Sequence, residues 1–238
     1  MSASFEVSGR LQRLYAGCYA GTSAWRELGA RDKAANVVRA CGAEPHASVL
    51  EIGMGEGALL ARLCELGFAK ELHGVDISPS AVEATRSRRL VGLVSCEIFD
   101  GYTLPHPDRR FDLAILSHVL EHVEHPRRLL SEAARVARSV VVEVPLEDTW
   151  RLPRDFTLGS VGHINFFTAR SLRRFVQSTG LAVETEFVTH PSRALYEFHG
   201  RASGALRYLV KAALLRLSPP LAMRLFTYHA TLRCAAPR

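Results

Sequence analysis

Residues Val49 to Gly57 read VLEIGMGEG, and no other stretch limits the fold so tightly. Val49, Leu50 and Ile52 surround Glu51 with the composition of a buried parallel strand. Gly53, Gly55 and Gly57 follow at alternate positions. They remove every Cβ where the chain turns off that strand, so a ligand can lie against bare backbone. Ala58, Leu59, Leu60, Arg62 and Leu63 continue as a helix whose first N–H groups point back at the turn and can hold a polar or anionic group. This is the first strand-to-helix turn of a nucleotide-type site in an open α/β sheet.

Strand and helix patterns alternate downstream. Leu72 to Ile77 (LHGVDI) reads as the second strand, with Asp76 at its C-terminal end, 23 positions beyond Gly53. A carboxylate at about that distance accompanies glycine turns because it can accept hydrogen bonds from both hydroxyls of a ribose. Ser78-Pro79 opens the next helix with a capping residue and a first-turn proline. Leu93 to Phe99 is the third strand and ends at Asp100-Gly101. Phe111 to Ser117 is the fourth, Arg127 to Ala137 a helix, and Ser139 to Pro145 the fifth strand. Such alternation with short links dictates a parallel sheet with helices on both faces.

Gly53, Gly55 and Ala58 fit the dinucleotide fingerprint G-x-G-x-x-G/A loosely, which keeps NAD open. The acid at 51 and the third glycine at 57 fit S-adenosylmethionine (SAM) better. Taken in order, VLEIGMGEG, GVDIS, the strand ending at Asp100 and FDLAILSHVLEHVEHP resemble the class I SAM-dependent methyltransferases. The likeness is to the small-molecule group related to the ubiquinone and menaquinone methyltransferases (type 11/12), and it spans roughly residues 37–189. It implies a Rossmann-like, doubly wound α/β fold: a mostly parallel seven-stranded sheet with an antiparallel last strand. It also implies roles for single residues. Glu51, Gly53, Gly55 and Gly57 serve the methionine and ribose region of SAM, and Asp76 its ribose hydroxyls. Ile77, Phe99 and Asp100 serve the adenine, and the Ser117 backbone the amino-acid end. The spent cofactor is S-adenosylhomocysteine.

Read alone, His118 to His122 spells H-x-x-E-H, an inverted zinc-protease motif. That motif needs a long helix, whereas here a strand leads straight into it and Pro126 soon ends it, so no metal is expected. The resemblance makes this segment the loop that closes over the methionine end of the cofactor, braced by Glu121 and His122, with His118 nearer the sulfonium. Leu146 to Gly162 then breaks the alternation and has the length of a substrate loop. It leads into GHINFFT, where Thr168 caps a helix over Ala169 to Thr179. His163 and Asn165 sit where the resembled family builds its acceptor pocket. Histidine titrates near neutral pH, so His163 is the first candidate for a general base toward an acceptor hydroxyl and His118 the second.

The ends are less regular. Residues 1–42 read as a helical N-terminal cap or lid, amphipathic from Lys33 to Cys41. Tyr15, Tyr19 and Trp25 are lid or acceptor-site aromatics by resemblance, with plain packing onto the domain the favoured reading. Residues 43–238 form the SAM-binding domain, with a sixth strand over Leu181 to Thr189, a helical insertion over about 196–222 and a closing strand over Phe226 to Cys234. Ser203 to Leu217, inside the insertion, is a basic amphipathic helix. Its charges argue against a transmembrane span and suit packing on the sheet or on a second copy in a homodimer.

The net charge of +6 comes mostly from arginines spread along the chain, without the clustered basic stripe of a nucleic-acid binder. Five scattered cysteines form no C-x-x-C pair, and no signal peptide is recognisable, so a reducing cytoplasm is the natural setting. The expected activity is methyl transfer from SAM to an oxygen or nitrogen of a small molecule, such as a bacterial natural product or glycan precursor. An RNA methyltransferase, a non-catalytic partner protein of the same fold and an NAD oxidoreductase are the alternatives.

Overall fold

A computed structural model describes residues 23–42, 45–159, 162–198 and 200–237. Tyr15 and Tyr19 lie outside the described residues. The elements run α1 (Ser23–Cys41), β1 (His46–Ile52), α2 (Ala58–Glu65), β2 (Ala69–Asp76), α3 (Pro79–Ser87), β3 (Leu93–Ile98) and β4 (Phe111–Ser117). A single 3₁₀ turn (Leu120–His122) then leads to α4 (Pro126–Val136), β5 (Ala137–Pro145), α5 (Ala169–Gln177) and β6 (Ala182–Thr189). Three helices, α6 (Arg193–Phe198), α7 (Arg201–Leu217) and α8 (Pro219–Leu225), precede β7 (His229–Ala235).

The strands form one sheet in the order β3-β2-β1-β4-β5-β7-β6. β3, β2, β1, β4 and β5 pair in parallel, while β7 runs antiparallel to both of its neighbours. The order reverses between β1 and β4, so a crevice opens beyond their carboxyl ends, where ligands of such sheets bind.

Side chains alternate across each strand, and in β1, β4 and β5 both faces are buried. Leu50 and Ile52 of β1, Ala114 and Leu116 of β4, and Val140, Val142 and Val144 of β5 pack with α4 and α5. Val49, Leu113, Ile115 and Val141 point the other way and pack with α1, α2 and α3. The same alternation has a chemical consequence at the strand ends. Glu51, Ser117 and Glu143 continue the second face, so each presents a buried polar group on the α1 side of the crevice.

Several boundaries differ from the sequence reading. α1 begins at Ser23, ten residues before the amphipathic stretch. Its first turns are held by charge: Arg26 pairs with Glu56 at 3.2 Å and Glu27 with Arg88 at 2.7 Å. Ion pairs of this kind leave no apolar periodicity to read. β5 starts directly at the end of α4, without a loop. Pro219-Pro220 ends α7 as expected but also supplies the first turn of α8, where a missing N–H costs nothing. β7 starts at His229 rather than Phe226, and Phe226 and Thr227 line a cavity. Thr168 caps α5 as expected, with Ser171 completing a capping box. Ser78 opens α3 without a side-chain cap, and its hydroxyl pairs with that of Ser80 instead.

Candidate active site

The glycine turn and the next two strand tips are locked together by backbone geometry. Gly53, Gly55 and Gly57 have φ of 74°, 56° and 73°, a region that side chains strain to enter. A Cβ on Gly53 would fall 2.7 Å from a methyl of Val119, just beyond β4, so the bare backbone also lets the β1 and β4 tips meet. Gly53 N–H bonds to the carbonyl of Val75 at 2.8 Å, and Gly55 N–H to Oδ2 of Asp76 at 2.8 Å. The amide of Phe99 bonds to the Asp76 carbonyl at 3.1 Å, which brings in the third tip. Asp76 is buried; burial raises its pKa, and the amides of Ser78, Gly55 and Ile77 offset only part of that. Asp100 is exposed at the end of its strand, with Oδ1 accepting from Tyr102 and Thr103 N–H at 2.7 and 2.6 Å. These amides outweigh the effect of partial burial and hold its carboxyl below the usual range. Ile77 and Phe99 flank these acids, both half-buried.

Glu51 is the chemical oddity of this end. It is buried, and its Oε2 has no hydrogen-bond partner. Burial pushes its pKa up to about 8, against the opposing charge of Lys33 and reinforced by Asp76. A buried acceptor left open in this way fits a ligand that brings a cationic donor, such as the ammonium of a methionine moiety. Together with the bare turn and Asp76, these residues fit SAM.

A second polar cluster lies at the tips of β4, β5 and β7. His118 has φ of +59°, unusual for a residue with a side chain, and its N–H bonds to the Glu143 carbonyl at 2.8 Å. The ring lies between two buried carboxylates, with Nδ1 3.3 Å from Glu121 and Nε2 3.2 Å from Glu143. Burial and Lys33 push its pKa down, but the two carboxylates outweigh them and leave it above the ordinary value. Glu143 also accepts from Asn36 at 2.9 Å, Thr231 at 3.0 Å and Ser117 at 3.4 Å. Against the effect of burial, these surroundings hold its carboxyl down at about 2, with His118 the main cause. His229 packs edge-on against His118, with ring centroids 4.6 Å apart. Burial and the His118 charge lower its pKa to about 3.

The long loop reaches the same place. Ile164 and Asn165 both donate backbone N–H to the Glu121 carbonyl, at 2.8 and 3.0 Å, and the Asn165 side chain donates to the carbonyls of Leu120 and Val123. Asn165 is therefore a clamp on the 3₁₀ turn rather than a lining of the pocket. His163 lies beside it, with Nδ1 2.6 Å from Oε2 of Glu147. His163 and Glu147 line a cavity of about 930 Å³ shared by this loop, α7 and the segment before β7. Leu152, Phe156, Ile164 and Val210 make its walls apolar, and Arg207 and Lys211 bring positive charge. Burial, with help from Arg207, lowers Lys211 to about 8, and its ammonium donates to the Thr227 carbonyl at 2.6 Å. Trp25 is on α1 and does not line this cavity.

The glycine turn, Asp76 and the Phe99 amide meet at one hydrogen-bonded junction, and His118 and His163 both lie close to Glu121. The sequence reading missed Lys33 and Asn36 on α1, Glu143, Glu147, and His229 and Thr231 on β7. One signal was present: Glu143 is an acid inside the apolar run SVVVEVP, where an unpartnered charge is costly.

Comparison with known proteins agrees with this geometry. Residues 25–186 match a family described as a methyltransferase domain. A 37.1 kDa protein of transposon TN4556 from Streptomyces fradiae is 31% identical over 170 residues, 66% of this chain and 49% of that protein. The mitochondrial ubiquinone biosynthesis O-methyltransferase of Candida albicans is 30% identical over 37% of this chain and 28% of its own length. The chain thus spans about half or less of these relatives. Among solved structures, Haemonchus contortus phosphoethanolamine N-methyltransferase 2 in complex with SAM has a TM-score of 0.67 at 13% identity, covering 98% of this chain and 60% of that one. From the glycine turn, the acids at the next two strand tips, the sheet order and the family match, the chain belongs to the class I SAM-dependent methyltransferases.

Proposed function

We propose that this chain transfers the SAM methyl group to an oxygen or nitrogen of a small molecule held in the cavity between the 147–166 loop and α7. The observation that carries the reading is the placement of His163. It lines that cavity while its loop is bonded to the turn just past β4, beside the cofactor residues.

When bound, SAM supplies a methyl on a sulfonium whose leaving group is a neutral thioether. The protein therefore has no leaving group to protonate, and its task is alignment of the acceptor. We assign Glu51 to the methionine end, Gly53, Gly55 and Gly57 to backbone contact, and Asp76 to the ribose hydroxyls. Ile77, Phe99 and Asp100 face the adenine, and the Ser117 backbone faces the amino-acid end. An acceptor hydroxyl must also shed its proton to solvent as its oxygen takes the methyl. His163 is the group assigned to promote that loss. His118 stands between Glu121 and Glu143, whose charges raise its pKa, and remains the second candidate behind His163.

The cavity's size and largely apolar walls suit an acceptor with an apolar body, on the scale of a natural product or an activated precursor. Calorimetric titration with SAM and NADH, followed by S-adenosylhomocysteine release over a panel of phenols, quinols and amines, tests this reading. SAM binding with turnover of at least one class is expected. Binding of NADH in place of SAM would overturn it.

A further inference from the structure

The apolar stripe of α7 faces outward. Leu206, Leu209, Val210, Ala213 and Leu217 recur at the three- and four-residue spacing that lines one face of a helix. All five are exposed, with Leu206, Leu209, Val210 and Leu217 at 64, 61, 47 and 82%. The opposite face holds the helix to the domain. Gly204 is buried, and a Cβ there would lie 2.3 Å from the carbonyl oxygen of Tyr196. The Tyr208 ring stands 4.9 Å from that of His190, and Lys211 donates to the Thr227 carbonyl at 2.6 Å. The stripe therefore does not pack on the sheet. A contiguous apolar face of this kind marks a surface that something else covers.

Charge decides what covers it. At 3.6 residues per turn, Arg207 and Arg216 fall on either side of the stripe. Both are exposed, and among the described residues neither has a carboxylate within ion-pair distance. α7 and α8 contain no Asp or Glu, and none occurs after Glu197. On α8, exposed Arg224 lies 5.7 Å over the ring of Trp150, itself 67% exposed. A two-fold copy would set this patch against itself, arginine toward arginine, with no carboxylate on either helix to meet them. An anionic lipid surface meets both features, because its acyl chains take the leucines and its headgroups the arginines. Among the described residues no helix is long and apolar enough to cross a membrane, so the contact is with the surface.

We propose that α7 docks this chain on an anionic bilayer, lying in the headgroup layer with its stripe toward the acyl chains. Leu206 and Val210 belong both to the stripe and to the wall of the loop cavity, beside exposed Phe156. An acceptor with an apolar body thus reaches the cavity from the bilayer. That consequence rests on the methyl-transfer reading; the docking does not.

The test is sedimentation of the full chain with vesicles of phosphatidylcholine, and of phosphatidylcholine with about one-third phosphatidylglycerol, at low and high salt. Binding to the anionic vesicles at least about 10-fold tighter than to the neutral ones, and weakened by salt, is expected. Leu209 and Leu217 do not line the cavity. Replacing both, Leu209→Ser with Leu217→Ser, should weaken vesicle binding more than about 10-fold, and Arg216→Gln about fivefold, each with SAM affinity unchanged. Leu66→Ser, equally exposed at the end of α2, should change nothing. Equal binding to both kinds of vesicle, or no loss in the double variant, would overturn the proposal. So would a dimer in analytical ultracentrifugation that the double variant abolishes, which would assign the stripe to a second copy. Anionic-vesicle binding that follows the expected pattern in a chain that ignores SAM would support the docking and strike the methyl-transfer reading alone.

Discussion

Gly55 donates its backbone N–H to Oδ2 of Asp76 at 2.8 Å, so the turn after β1 and the acid ending β2 are one hydrogen-bonded unit. The other oxygen, Oδ1, accepts from Ser78 N–H at 2.9 Å, which ties the same carboxylate to the start of α3. Thr85 on α3 returns a bond from its hydroxyl to the Gly55 carbonyl at 3.0 Å. The turn is therefore held from both sides before any ligand arrives, the preorganisation that makes a binding site rigid.

That closure makes Gly57 intolerant of a side chain. A Cβ there would lie 2.7 Å from Cγ2 and 2.8 Å from Oγ1 of Thr85, at φ of +73°. Gly57→Ala should cost about 1–3 kcal/mol, or roughly 2–10 °C in Tm for a chain of this size, and should weaken SAM binding. Gly67→Ala is the control. It shares the positive φ but has open space around the added Cβ, so it should cost less and leave SAM affinity alone. Calorimetric melts of both variants check the difference.

His163→Ala should leave SAM affinity within about twofold and slow turnover by about 10²–10⁴. His163 lines the cavity proposed for the acceptor, and its ring bonds to Glu147 rather than to the glycine turn. Paired SAM titration and S-adenosylhomocysteine release measure the two separately.

Asn36→Ala removes one of the donors that make the buried Glu143 tolerable, and also the link from α1 to Thr189. A loss of about 1–3 kcal/mol in urea unfolding is expected. Faster amide exchange should be confined to α1.

His229 gives a pH dependence of defined sign. Its folded pKa of about 3 lies below the ordinary imidazole value, so the unfolded chain binds the proton more readily. Stability from this group is present above about pH 6.5 and is lost as pH falls toward 3. His229→Gln should flatten the decline by up to ~1.4 kcal/mol per pH unit between about pH 6 and 4. Urea unfolding of both proteins across that range is the measurement.

The cofactor end was legible in the sequence because its chemistry is local. Glycines and acids sit at the ends of strands that the apolar pattern already marks, from Val49 to Ser117. The Glu143 cluster and the loop cavity were not, because they are assembled from distant segments. Glu143 meets Asn36 of α1, 107 residues away, and Thr231 of β7, 88 residues away. His163 reaches its pocket through a loop without periodicity, and the first turns of α1 are anchored by ion pairs that leave no apolar stripe there. His118 lies at the tip of β4, where its position in the strand pattern put it. Its motif gave no sign that a second carboxylate, Glu143, would close on its other nitrogen.

The central claim is that three adjacent strand tips hold one adenosyl ligand. Isothermal titration of SAM into wild type and Asp76→Ala, with folding confirmed by circular dichroism, tests it most directly. A loss of about 10- to 100-fold or more in affinity is expected for removal of a buried acceptor of charged character. Unchanged SAM affinity in folded Asp76→Ala would contradict the account.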